Sequence, residues 1–350
     1  MQQPSPQQQM AQMITGYWLS QAVYVAAKLG LADRLRDGPR TPVDLAAQTD
    51  THPPSLYRLL RALAGAGVFA EDEQGRFGLT PLADCLRGDA PGSQRAMAIM
   101  SGEEHFAAYG ELLYSVQTGQ PAFEKVFGEP VFDFLSRHPE QARVFDQAMV
   151  SVHGRETAAM LDAYDFSGVG VLADVGGGNG SVLTAVLQKY PAMRGILFDL
   201  PGVVARAKTN IEAAGLEGRC QVVAGNFFEG VPAGADAYLL RHIIHDWDDD
   251  RAITILRNGR RALGQGGKLL VVEGVVPPGN EPSVSKFFDL AMMVLPGGME
   301  RTQEEYRQLL EAAGFRLTRI VPTRTWVSVM EGEATLWTLA PAGGLAAPGH

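Results

Sequence analysis

The stretch Val171 to Gly180, VLADVGGGNG, constrains the fold of this chain more than any other. Val171 to Val175 is an apolar run holding one acid, Asp174, and reads as a short buried strand. Gly176, Gly178 and Gly180 follow at every second position, and a helical pattern opens at Ser181. Strand, glycine turn and helix in that order belong to an α/β sheet that presents backbone to a nucleotide-like ligand. A Cβ in the turn would hold the ligand away and resist positive φ. Counting from Gly176, the sixth position is Ser181, so the G-x-G-x-x-G fingerprint of dinucleotide sites is not met. The plainer alternative is a glycine-rich turn with no ligand.

The chain around this turn carries the pattern onward. Strands are expected at 171–175, 195–200, 220–225, 237–243 and 268–275, with helices at 181–190, 202–214 and 249–263 between them, as a parallel doubly wound sheet requires. A further helix at 302–313 precedes two last strands, 315–322 and 325–331. The turn between these two is too short for a parallel crossover, so they pair antiparallel. The fold class is therefore α/β, a Rossmann-like sheet with an antiparallel end, spanning 168–334 and preceded by a mainly helical N-terminal domain.

At 350 residues the chain is long enough for two domains. A formal net charge of −9 argues against nucleic acid and anionic membrane surfaces as partners. Cys85 and Cys220 stand far apart, which fits reduced thiols in a cytoplasmic protein and no zinc site. The polar start MQQPSPQQQM is not a signal peptide, and no apolar run approaches a membrane span.

Residues 1–10, rich in Gln and Pro, are expected to be disordered. From Met10 to Leu35 the pattern is helical and apolar on more than one face, which suits either core or a subunit interface anchored by Tyr17, Trp18 and Tyr24. Residues 11–92 read as a winged-helix domain. Five arginines face seven acids over 40–90, too little positive charge for a phosphate-binding surface, so its expected role is dimerisation. Residues 93–167 read as a helical linker dense in aromatic and Met side chains, some of which could wall an apolar pocket. Residues 335–350 read as a flexible tail.

The chemical residues gather where the strands end. Asp199 ends the second strand of the sheet, where an acid can accept hydrogen bonds from ribose hydroxyls; otherwise it is a turn Asp before Pro201. Asn226-Phe227 follows the third strand, placed to meet an adenine edge and face, or to form an ordinary loop. In Arg241-His-Ile-Ile-His-Asp-Trp247, His242 and His245 suggest a metal pair, but residues three apart on a strand point to opposite faces, so no metal is expected. Asp248, Asp249 and Asp250 are read as the negative start of a helix. His245 on the ligand side suits a general base. Glu273, in an apolar strand, and Glu300, before the last helix, are the expected partners that orient its ring and raise its basicity.

With these residues in hand, the chain resembles the S-adenosylmethionine (SAM)-dependent small-molecule O-methyltransferases, a family that spans plant caffeate- and flavonoid-type enzymes and bacterial antibiotic-tailoring enzymes. The resemblance covers roughly residues 10–332 and rests on DVGGGNG (174–180), FDLP (198–201), GNFFEGVP (225–232), LRHIIHDWDD (240–249), VVEGVVP (271–277) and GGMERT (297–302). It implies SAM as donor, no metal, a homodimer through the N-terminal domain and a hydroxyl of an aromatic small molecule as acceptor. It implies His245 as base with Glu273 and Glu300 beside it. Asp174, Gly176, Gly178, Asp199, Leu200, Asn226, Phe227, Arg241 and His153 fall on the donor side by the same resemblance. Met149, Asp246, Asp289, Met292 and Met293 fall on the acceptor side. Asn226 and Met299 depart from the family's commoner Asp and Lys or Arg. Competing readings are an N-methyltransferase, a SAM-retaining tailoring enzyme that does not methylate, and a SAM-sensing DNA-binding regulator.

Overall fold

Pro6, Pro42, Pro53 and Pro81 each open an N-terminal helix, because proline lacks an N–H to leave unpaired and already holds helical φ. The computed structural model describes residues 4–264 and 266–335. It divides into two compact units, the first formed by residues 1–155 with 293–296, the second by 156–292 with 297–350. The division falls inside the helix Pro139–Ala163 rather than at the expected boundary near 167, because that helix is continuous while its C-terminal part packs on the sheet.

In the first unit, residues 6–10 are not disordered as expected: they begin a helix, Pro6–Ile14. Ser5 accepts from the Gln8 N–H at 3.3 Å and its own N–H donates to Gln8 Oε1 at 2.8 Å, a reciprocal cap that a composition-based reading overlooks. A break at Thr15 separates it from the helix Gly16–Lys28. Tyr17 and Trp18 stand 52% and 64% exposed, whereas Tyr24 packs inward with its hydroxyl 3.0 Å from Glu103. Helices Pro42–Thr49 and Pro53–Gly65 lead into the small antiparallel pair β1 (Phe69–Glu71) and β2 (Phe77–Leu79). Leu56, Leu60 and Leu63, three and four apart, bury one face of the second helix.

The second unit is one mixed sheet. Its strands are β3 (Val171–Val175), β4 (Arg194–Asp199), β5 (Cys220–Ala224), β6 (Ala237–Arg241), β7 (Lys268–Val276), β8 (Arg301–Thr302), β9 (Phe315–Pro322) and β10 (Val327–Ala334). They lie in the order β5-β4-β3-β6-β7-β10-β9, with β8 alongside β7. β3 to β7 are parallel, and β10 runs antiparallel to both β7 and β9. Both faces are covered, so the strands read as unbroken apolar runs whose side chains alternate between two cores. On β7, Leu270 and Val272 enter one core while Leu269 and Val271 enter the other. The order reverses beside β3, which sets a crevice at the carboxyl ends of β3, β4 and β6. Among the described residues no helix is long and apolar enough to cross a membrane. The expected flexible tail lies outside the described residues from 336 onward; Thr335 is hydrogen-bonded to the Gly314 carbonyl.

Candidate functional site

The turn after β3 holds all three alternate glycines in the left-handed region, with φ of 71° at Gly176, 57° at Gly178 and 79° at Gly180. A Cβ on Gly176 would lie 2.3 Å from Ile243 Cδ1, so that glycine lets the turn pack on the next loop. A Cβ on Gly178 would meet nothing within 4 Å, so that glycine faces open space of the kind a ligand fills. The Gly178 N–H donates to Asp199 Oδ2 at 2.8 Å, and the Leu200 N–H donates to Oδ1 at 2.7 Å. These bonds fix the Asp199 carboxylate at the end of β4. Leu200 is 53% exposed beside it. Asn226 Oδ1 accepts from the Phe228 N–H at 3.0 Å, which turns the chain after β5. Phe227 is partly buried, its ring edge-on to Phe228 and Trp247. Asp174 is buried beneath the turn with Oδ2 unpartnered among the described residues. Burial, opposed by the nearby Arg241 charge, lifts its carboxyl to about 7. An unpartnered buried carboxyl oxygen, a fixed acidic pair of oxygens and an open glycine turn fit a ligand that carries hydroxyls and a cationic group.

The second cluster lies one strand over. β6 stops at Arg241, two residues short of the expected end, because His242 takes a left-handed φ of 52°. That turn swings three successive N–H groups toward Glu273 on β7. Its Oε1 accepts from Ile243 at 3.1 Å, Ile244 at 2.7 Å and His245 at 3.3 Å. Three N–H groups converging on one carboxylate form an anion nest. Oε2 accepts from the Tyr306 hydroxyl at 2.6 Å. Glu273 thus holds the backbone that carries His245, and its charge also acts on the ring.

His245 sits in a single turn of 3-10 helix, Ile244–Asp246, rather than on the strand. Its Nδ1 is 2.6 Å from Glu300 Oε1, and Asp246 Oδ1 is 3.6 Å from Nε2. Burial opposes a charge on the ring, but Asp246, Glu300 and Glu273 outweigh it and raise the imidazole to about 9. The ring is walled by Phe288 and His242, with centroids 5.8 Å and 5.1 Å away. The two histidines are therefore neighbours, not on opposite faces, because the strand ends before either. Among the described residues no group of three or more His, Cys, Asp or Glu side chains is placed to hold a metal ion.

The other expected residues lie in several places. Arg241 reaches Glu156 with Nη2 at 2.8 Å and Thr157 with Nη1 at 2.6 Å, and its charge acts on Asp174. Asp289 accepts the Glu300 N–H at 2.9 Å and so positions that carboxylate. Met292 is buried, and its carbonyl accepts from Gly297 and Gly298. Met149 and Met293 belong to the first unit, where Met149 packs against Ala96, Met100 and Ala148. The side chain of His153 lies outside the described residues.

Several residues of the site were not singled out from sequence. Arg301 is fully buried and reaches the carbonyls of Ile244, Trp247 and Met299 and the Asp249 carboxylate, tying the His245 turn to the Glu300 loop. A Cβ on Gly298 would fall 1.9 Å from the His245 carbonyl oxygen, so only glycine lets the two loops touch. Both stand inside GGMERT, where the signal was available. Tyr306, Glu156 and Trp326 left none, since each reaches the site across the fold.

Residues 109–316 match the family described as the O-methyltransferase domain, and residues 11–89 match the O-methyltransferase dimerisation domain. The chain is 49% identical over 324 residues to phenazine O-methyltransferase PhzM of Lysobacter antibioticus, covering 93% of this chain and 95% of that one. It is 40% identical to the 8-amino-8-demethylriboflavin N,N-dimethyltransferase of Streptomyces davaonensis, over 89% of this chain and 91% of that one. The neocarzinostatin O-methyltransferase NcsB1, solved with S-adenosylmethionine and 2-hydroxy-5-methyl naphthoic acid, superposes with a TM-score of 0.82 at 36% identity, over 90% of this chain and 96% of that one.

Proposed function

The chain belongs to the O-methyltransferase family, and on that premise we propose that it transfers the methyl group of S-adenosylmethionine to a phenolic hydroxyl of an aromatic secondary metabolite, with His245 as general base. The observation that carries this reading is the buried imidazole whose Nδ1 is held 2.6 Å from Glu300. With Nδ1–H donating to Glu300, Nε2 is the nitrogen that accepts a proton. It takes the proton of the acceptor hydroxyl, and the resulting imidazolium is stabilised by Glu300 on one side and Asp246 on the other. Phe288 and His242 keep water from the ring.

On this reading the donor lies against the glycine turn. Asp199 accepts from its ribose hydroxyls, Asn226 meets the adenine edge, Phe227 covers the ring, and the Asp174 carboxyl lies beneath. The donor supplies a methyl group on a sulfonium, already activated toward a nucleophile. NcsB1, solved with this donor, supports the assignment, as do the unpartnered Asp174 Oδ2 and the open space at Gly178. The chain acts as a homodimer through its N-terminal helices.

A second reading, transfer to an aromatic amine, is favoured by the N,N-dimethyltransferase relative. The experiment is the purified protein with S-adenosylmethionine and a panel of phenols, quinones, aromatic polyketides and aromatic amines, read by mass shift and by release of S-adenosylhomocysteine. With a phenol, His245→Ala keeps donor binding and loses about 100-fold in turnover. A neutral amine attacks before it sheds its proton, so with an amine the loss is smaller. Turnover near the parent's with a phenol as acceptor would falsify the base assignment.

A further inference from the structure

Glu156 is a buried carboxylate that no step above uses. It lies on the helix Pro139–Ala163, one turn before Met160 and on the same face, which packs on the sheet. Three donors converge on it, from the last residue of β6, the residue after it and the β9–β10 turn. Arg241 Nη2 and His242 Nε2 lie 2.8 Å and 2.9 Å from Oε2, and Trp326 Nε1 lies 2.8 Å from Oε1. Burying a carboxylate is costly unless it is paired and hydrogen-bonded, and here both oxygens are engaged.

The residues that Glu156 holds all bear on His245. Because His242 Nε2 donates to Glu156, its ring is fixed as the Nε2–H tautomer, with its centroid 5.1 Å from that of His245. His242 is also the left-handed residue whose turn directs the N–H groups of 243–245 onto Glu273. Two carboxylates thus grip the turn, Glu156 by the side chain of His242 and Glu273 by the backbone after it. Trp326 sits at the β9–β10 turn, its ring 5.5 Å from His242 and 4.8 Å from Phe288, and Phe288 in turn walls His245. Glu156 further balances the buried Arg241 guanidinium. Burial, with the charges of His245 and Arg241 adding to it, holds His242 well below the ordinary imidazole range, so a neutral ring stands beside His245.

We propose that Glu156 is a positioning residue for His245: through His242, Arg241 and Trp326 it fixes the left-handed turn and the aromatic wall that set the orientation of the base. The inference rests on the reading of His245 as that base. Around the imidazole stand Asp246, Glu273 and Glu300; around Glu156 stand Arg241 and His242, with Asp174 beyond Arg241.

The test uses the full chain with Glu156→Gln, Glu156→Asp and, in case the first does not fold, Trp326→Phe, which keeps the ring and removes one bond. Imidazole nitrogen NMR across a pH series reads His245 without any reaction. In Glu156→Gln the His245 midpoint falls, because Arg241 is left uncompensated and the contact with Glu300 loosens. Turnover falls roughly 10–100-fold, the size of loss that follows removal of an outer partner from a metal-bound histidine. Affinity for S-adenosylhomocysteine changes far less than turnover, and Glu156→Asp recovers part of the loss. Trp326→Phe shows the same signs with smaller size. An unchanged His245 midpoint in Glu156→Gln and Trp326→Phe overturns the proposal, as does a Glu156→Gln enzyme with the parent's pH–rate profile. If the parent itself transfers no methyl group to any acceptor, the reading of function fails instead, and the NMR series still decides the positioning role.

Discussion

At the scale of the residue, His245, which we propose as the base, has partners that differ in kind. Glu300 touches the ring, Asp246 lies near the other nitrogen, and Glu273 holds only the backbone. These carboxylates overcome the burial that opposes a charge and raise the imidazole to about 9, so the neutral, proton-accepting form grows as pH climbs toward that value. The turnover of the parent should rise over this range. In Glu300→Gln the rising limb moves to lower pH, since a stabiliser of the imidazolium is lost, while the plateau falls because the ring is no longer oriented. A pH–rate series on both proteins checks both signs. The same shift acts on stability. A histidine raised from 6.5 to about 9 on folding contributes stability that is complete below 6.5 and lost as pH rises through about 9. Melting temperatures of the donor-free protein should therefore fall more steeply above neutral pH in the parent than in His245→Gln. Of this arrangement, His245 and Glu300 were legible in the sequence because each sits in a short motif beside the end of an element. The role of Glu273 was not, because it depends on the single left-handed φ at His242, which nothing about a histidine announces.

At the scale of the element, the site depends on two loops being tied together: the 3-10 turn after β6 and the loop before β8. Arg301 is the tie. Its guanidinium donates to three carbonyls of these loops and to Asp249. Replacing it by Met would leave the three carbonyls without this donor while the exposed Asp249 carboxylate turns to water, at a cost of roughly 1–3 kcal/mol for each carbonyl that stays buried and unpaired. Denaturant unfolding of Arg301→Met should show this as a lower midpoint with an unchanged slope; a midpoint equal to the parent's would deny the tie. The strands themselves were legible from their apolar runs to within a residue or two. The exception is β10, which runs on to Ala334, beyond the expected end at 331; β6 stops early where His242 takes its left-handed φ.

At the scale of the whole molecule, the N-terminal helices present apolar surface that this chain does not cover. Met13, Ile14, Tyr17 and Trp18 are 74%, 67%, 52% and 64% exposed. Contiguous apolar exposure of this kind marks an interface, and residues 11–89 match a dimerisation domain. Met13→Asp combined with Trp18→Asp should shift the protein from dimer to monomer in sedimentation velocity. A dimer that survives both charges would place the interface elsewhere. The apolar helix was readable from composition, and its exposure was not. The same pattern serves a core or an interface, and Tyr24, four residues beyond Ser20, is instead partly buried with its hydroxyl on Glu103.

What the sequence determined by itself is whatever is local: the glycine turn, the acids and amide at the strand ends, the alternation of strands and helices, and the antiparallel ending imposed by a turn too short to cross over. These follow from φ, from side-chain periodicity and from chain length between elements, which are properties of neighbours. What only the tertiary structure decided is which charged group meets which. Arg241 turns to Glu156, 85 residues away, Trp326 joins it from 170 residues away, and Glu273 meets backbone rather than a ring. A buried charge takes the nearest partner in space, and nearness in space is set by packing that no spacing along the chain records.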